Sequence, residues 1–267
     1  MSLIDNLDFT TLAWLSASLT ALMTAYLGVF VVLRRITFVG VALSQLAAAG
    51  VALSGLIHIP CNLGAILLML GGVTFFAKDH RRDLPSEGLI GSAYVAAGAM
   101  AVLFIALAPH ADGDMLSLLF GNVLAVTSAD ICLMAASLAF IIAVNALFFK
   151  QFMLTAFDPM MAQALGYNVK FWNWLFYFTV GLAIAVAIHS AGALLVFAML
   201  IVPPLVGLCL SQRWNIVCIY SLISALLSVG LGVALSVQYD LPTSATITAV
   251  ICIFLAAAMV IKRMRQA

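Results

Sequence analysis

Apolar runs of 17 to 25 residues, separated by short polar gaps, recur from one end of the chain to the other. As helices rising about 1.5 Å per residue, such runs cross a hydrocarbon core of roughly 30 Å. The pattern predicts nine crossings, near residues 11–33, 40–57, 61–77, 88–108, 130–149, 171–189, 191–210, 215–237 and 243–261. The stretch from Met115 to Thr127 is apolar too, but its 13 residues are too few to span, which fits a re-entrant or interfacial helix. The expected fold class is therefore an all-α polytopic membrane protein of eight to nine transmembrane helices plus one short re-entrant helix. Residues 1–267 would form a single membrane domain, since no soluble segment, linker, low-complexity tract or obvious repeat interrupts the pattern.

Composition agrees with lipid as the solvent. Of the 267 residues, 66% are hydrophobic and 8% charged, against about 25% charged in soluble domains. Asp5 and Asp8 precede the first run and Arg34 and Arg35 follow it, so the basic start of a cleavable signal peptide is missing and the run is expected to remain as the first span. The five cysteines, an odd number lying mostly within apolar runs, read as small core residues and not as a disulfide framework. With the N-terminus outside, all eleven lysines and arginines fall on the cytoplasmic side: Arg34 and Arg35, Lys78, Arg81 and Arg82, Lys150 and Lys170, Arg213, then Lys262, Arg263 and Arg265. That asymmetry satisfies the positive-inside rule and puts the C-terminus in the cytoplasm.

A chain of this kind is expected to move a solute, and the sequence says what does not drive it. A phosphate-binding loop needs a lysine after glycine, and none of the four lysines follows one. Ionisable residues buried in spans mark ion-coupled carriers, whereas here every Asp, Glu, Lys and Arg can be placed at or near a span end. The energy is expected from another polypeptide. The connection from Lys150 to Lys170 is suited to receive it: Asp158 fits a helix N-cap, Pro159 the first helical position and Gly166 the left-handed residue past a helix end. A short self-capped helix moves as one body and transmits a partner's motion; the plainer alternative is a surface helix between spans.

Five segments, in order, carry a family resemblance: Arg34-Arg35-Ile36-Thr37-Phe38-Val39-Gly40 with Ala42-Leu43-Ser44; Ser86-Glu87-Gly88-Leu89-Ile90-Gly91; Leu118 to Val126; Asp158 to Gly166; and Gly192 to Pro203. Over nearly its whole length the chain resembles the membrane subunit of ABC importers for zinc and manganese. The resemblance implies a bacterial inner-membrane permease similar in fold to the vitamin B12 importer's. It also implies a second permease copy, a cytoplasmic ATPase subunit and an extracytoplasmic metal-binding protein. ATP and magnesium would belong to the ATPase, this chain would carry no cofactor and no catalytic residue, and no nucleic-acid partner is expected. Within the segment matching the family's coupling helix, Phe157, Asp158, Pro159, Ala162, Leu165 and Gly166 are the expected contacts with the ATPase.

The chain departs from the family at one place. Family members read Gly-Asp-Ala-Leu-Ser-His entering the second span, an acid and a histidine at i and i+4 on one helical face, a spacing that suits a divalent metal. Here Val41 stands for the acid and Gln45 for the histidine. Valine coordinates nothing, and a glutamine amide oxygen suits hard cations better than zinc. Val41, Ser44 and Gln45 are nonetheless the candidate translocation path, Gln45 either lining a hydrated route or hydrogen-bonding across helices. Gly40, Ser44, Ala48 and Ala52 form a small-residue stripe that favours close packing. His58 and Cys61, with His110, Asp112 and Asp114, supply metal-type ligands on the outer side as a candidate entrance. His189 reads as an interfacial histidine, and Pro203 and Pro204 as an interruption of the seventh span. An intramembrane protease would need a His-Glu-x-x-His motif or paired membrane aspartates, and the chain has neither. The cargo class expected is a divalent metal ion, the alternative a chelated metal or other small solute.

Overall fold

The computed structural model describes residues 9–77, 86–107 and 126–266, and every regular element among them is helical. In chain order these are α1 (Phe9–Leu33), α2 (Thr37–Ile57), α3 (Cys61–Ala77), α4 (Ser86–Leu107), α5 (Ser128–Leu147), α6 (Phe149–Phe157), α7 (Pro159–Ala164), α8 (Val169–Leu210), α9 (Trp214–Tyr239) and α10 (Thr243–Gln266). Helix α8 holds two spans, Val169–Ile188 and Ser190–Leu210, and its backbone leaves helical geometry at Gly192, near the start of the second. Gly192 has φ 78° and ψ 158°, a region open in practice to glycine alone. Eight of these segments are long and apolar enough to cross a membrane. The ninth predicted crossing, α3, is a continuous helix of 17 residues, about 25 Å and so at the lower limit of a span. The re-entrant helix expected from Met115 to Thr127 lies outside the described residues save for its last two positions.

The described residues fall into two compact units. One holds residues 9–35, 126–135 and 187–266. Its centre is α9, against which α1 and α10 pack. The buried face of α9 is Val217, Ser221, Ser224, Ala225, Ser228, Val229, Gly232, Val233 and Ser236, nearly all small. Between helices in lipid there is little hydrophobic driving force, so close backbone approach and van der Waals contact hold them together. Ser221 Oγ accordingly donates across to the Ala25 carbonyl at 3.3 Å, and the Phe30 ring meets Trp214 edge-on at 4.6 Å. At the far end Ser244 Oγ donates to the Ala191 carbonyl beside the Gly192 bend, at 3.1 Å.

Pro203 and Pro204 do not interrupt their span, contrary to expectation; the helix runs through both, and its break is at Gly192. Pro204 has no N–H, which deprives the Leu200 carbonyl of its ordinary i+4 donor. That carbonyl sits against Gly28 of α1, so closely that a Cβ at Gly28 would overlap it, with Pro204 Cγ only 2.9 Å from the same point. A glycine on a neighbouring helix thus accommodates the carbonyl the proline exposes.

The second unit holds residues 36–107 as described and 136–186. Here α2 is central and packs against both α3 and α4. Gly40, Ser44, Ala48 and Ala52 are all buried, as a packing stripe should be. Gly50 of α2 and Gly64 of α3 lie against each other's carbonyls, leaving room for no side chain on either. The five cysteines are free. Cys61, Cys209 and Cys218 are half-buried, but Cys132 and Cys252 lie on exposed apolar helix faces and are not core residues.

Candidate functional site

Two places on the second unit carry the chemistry the sequence singles out. The first is the start of α2. Val41 and Gln45 are half-buried one turn apart, and Ser44, 2% exposed, donates its hydroxyl to the Val41 carbonyl at 2.7 Å. This bond satisfies Ser44 within its own helix, so its polarity is not presented outward. The Gln45 amide finds no hydrogen-bond partner among the described residues. Its Oε1 faces Gly98 of α4, where a Cβ would come to 4.0 Å of the oxygen. Gln45 is thus a partly exposed amide within an apolar helix, with a glycine facing its oxygen. Gly98 was not singled out in the sequence: its only signal is a glycine inside an apolar run.

The second place is the connection between α5 and α8. Asp158 belongs to two helices at once. Its N–H closes α6 on the Leu154 carbonyl at 2.9 Å, and its Oδ1 accepts the Met161 N–H at 2.8 Å, capping α7. Pro159 occupies the first turn of α7 as expected. At the other end Gly166 adopts φ 84°, its N–H reaching the Gln163 carbonyl at 2.9 Å while the Tyr167 N–H reaches Ala162 at 3.0 Å. That pair of bonds is a complete Schellman closure. Asn168 Oδ1 then accepts the Phe171 N–H at 3.2 Å and opens α8. Ala162 is fully buried, whereas Phe157, Met160, Met161 and Leu165 are exposed, Met160 by 81%. The segment is therefore a rigid six-residue helix, seated by an alanine and presenting an apolar surface. Beneath it lies an aromatic group without an individual signal in the sequence: Phe152 of α6 packs on Trp172 and Phe176 of α8, both at 5.9 Å.

The outer-entrance candidates are only partly described. His58 caps α2 in the left-handed region at φ 57°, its N–H bonded to the Ser54 carbonyl, and is exposed; Cys61 opens α3 three residues on, across Pro60. His110, Asp112 and Asp114 lie outside the described residues, as does the side chain of His189. Among the described residues no three His, Cys, Asp or Glu side chains come together in a way that holds a metal ion.

Eight apolar helices long enough to cross a membrane, two of them joined through a short helix capped at both ends, define a multi-pass membrane protein. The sequence profile of the ABC 3 transport family matches residues 6–262, and the chain belongs to that family. It is 31% identical over 201 residues, 75% of this chain and 72% of the relative, to the manganese import system permease protein ScaB of Streptococcus gordonii. It is 27% identical over 238 residues, 88% of this chain and 90% of the relative, to the high-affinity zinc uptake system membrane protein ZnuB of Buchnera aphidicola. Among solved structures it is similar to PsaBC from Streptococcus pneumoniae in complex with Fab, with a TM-score of 0.84 and 25% identity, covering 96% of this chain and 92% of that one.

Proposed function

We propose that this chain is the permease subunit of an ABC importer for a divalent metal ion of the manganese or zinc class. Two copies open alternately to either side of a bacterial inner membrane, ATP is hydrolysed by a separate cytoplasmic subunit, and an extracytoplasmic protein delivers the metal. The observation that carries this reading is α7. A six-residue helix closed at both ends, with Phe157, Met160, Met161 and Leu165 exposed outside the spans, is suited to dock on a moving partner and to transmit its displacement without loss. The positive-inside distribution supports placing that helix, with Lys150 and Lys170, on the ATPase side. The manganese and zinc permeases to which the chain is similar support the cargo class.

A second reading is favoured by Val41 and Gln45. A path lined by a neutral amide, with valine in place of an acid, suits a chelated metal or another small solute as well as it suits a hydrated ion. Reconstitution of the permease with its ATPase and binding protein in liposomes, with uptake of manganese, zinc, iron and cobalt compared, tests both. ATP-dependent uptake of one metal, lowered in Gln45→Ala, is the expected outcome. Intact ATP hydrolysis with no uptake of any of the four would reject the free-metal reading in favour of the second.

A further inference from the structure

If α7 receives the ATPase's motion, that motion can enter the membrane by two routes. One is the backbone of residues 165–168, which links α7 to α8; the other is back through Asp158 into α6. The link is exposed along its whole length, and the hydrogen bonds it makes are those that close α7 and open α8. The α6 route is packed. Asp158 fastens α7 to α6 by serving as C-cap of one and N-cap of the other, and the two helices pack together. Phe152, on the buried face of α6, is 0% exposed and meets Trp172 at an interplanar angle of 88° and Phe176 at 66°, with both ring centroids at 5.9 Å. Phe148, just before α6, adds a further contact to Trp172 at 5.1 Å, and Phe176 is likewise 0% exposed. Close-packed aromatic rings cannot slide without opening a void, so a displaced α6 must carry α8 with it.

We propose that Phe152, Trp172 and Phe176 are the joint through which movement of α7 reaches α8, the force passing through α6 and not through the exposed link. These are positioning residues, acting through their packing on one another. The inference rests on the reading of α7 as the ATPase contact, and the experiment separates the two.

The complete transporter, with ATPase and binding protein, is reconstituted in liposomes. Manganese uptake per ATP hydrolysed is measured along with ATPase co-purification, which reports assembly. In Phe152→Ala the ATPase should stay bound and hydrolysis persist, while uptake per ATP falls at least about fivefold. Phe152→Leu, which keeps most of the volume, should restore part of that loss. Two glycines inserted between Tyr167 and Asn168, which leave the Gly166 and Tyr167 closure of α7 and the Asn168 cap of α8 in place, should leave uptake per ATP within about twofold of wild type. The reverse pattern, uncoupling by the insertion and none by Phe152→Ala, would overturn the proposal. Should Phe152→Ala fail to assemble, Phe152→Leu and Phe176→Leu decide the matter: coupling lowered in both supports the joint, and coupling unchanged in both refutes it. Met160→Glu examines the underlying reading alone, because unchanged assembly and coupling there would remove α7 as the ATPase contact whatever the aromatic variants do.

Discussion

Gln45 and Gly98 form a notch between α2 and α4 whose shape can be tested apart from its polarity. A methyl group at Gly98 would meet Oε1 at an ordinary contact distance, 4.0 Å. Gly98→Ala is therefore expected to leave folding and uptake near wild type, whereas Gly98→Leu fills the notch. If cargo or its water passes Gln45, the leucine variant loses uptake several-fold with an unchanged melting temperature in detergent; equal uptake in both variants would take Gln45 off the path. The small-residue stripe beside Gln45 was legible in the sequence because burial in helix packing follows directly from residue size and spacing. The role of Gln45 was not: an unpaired amide becomes informative only when its surroundings are known, and Gly98 is more than fifty positions away in the chain. Ser44, read with it as a path residue, turns its hydroxyl back onto its own helix.

At the scale of elements, capping rules and tertiary packing had unequal visibility. Asp158, Pro159 and Gly166 announced α7 because caps depend on residues within one turn of each other, and the cap bonds appear where expected. Losing an N-cap typically costs about 1 kcal/mol, and an alanine forced into the left-handed region about 1–2 kcal/mol. Asp158→Ala and Gly166→Ala should accordingly fray α7 while sparing the spans, so that uptake drops with assembly and thermal unfolding little changed; undiminished uptake in both would mean that a rigid α7 is not required. Pro203 and Pro204 misled in the opposite way. Their local effect is to break a helix, but Gly28, far away in sequence, takes the Leu200 carbonyl against its own backbone and the span continues. Gly28→Ala must push backbone against backbone, where no side chain can yield. We expect about 1–3 kcal/mol of destabilisation, as for other overpacked sites, seen as a lower melting temperature. Gly98→Ala, whose methyl would meet only the Gln45 side chain at 4.0 Å, serves as its control.

For the molecule as a whole, the spans were legible because the bilayer imposes one length and one polarity on every crossing, which is why eight of the nine predicted runs are helices long and apolar enough to cross and the ninth is a shorter apolar helix. Cargo was not legible by the same logic, since lipid constrains the outside of a bundle and leaves its path free to change by single substitutions such as those at 41 and 45. Orientation lies between the two. Eleven basic residues on one side make a strong sequence statement, and it has a direct physical test. Cys61 begins α3 on the predicted outer side and is half-buried, and Met160 of α7 on the predicted inner side is 81% exposed. In a variant whose other four cysteines are alanine, a membrane-impermeant maleimide added to intact cells should label Cys61. With Cys61 also replaced and Met160→Cys introduced, labelling should need the cytoplasmic face to be opened, as in inverted vesicles. Labelling of Met160→Cys from outside would invert the topology. An inverted chain would turn α7 away from any cytoplasmic ATPase, and its exposed methionines would then need another explanation.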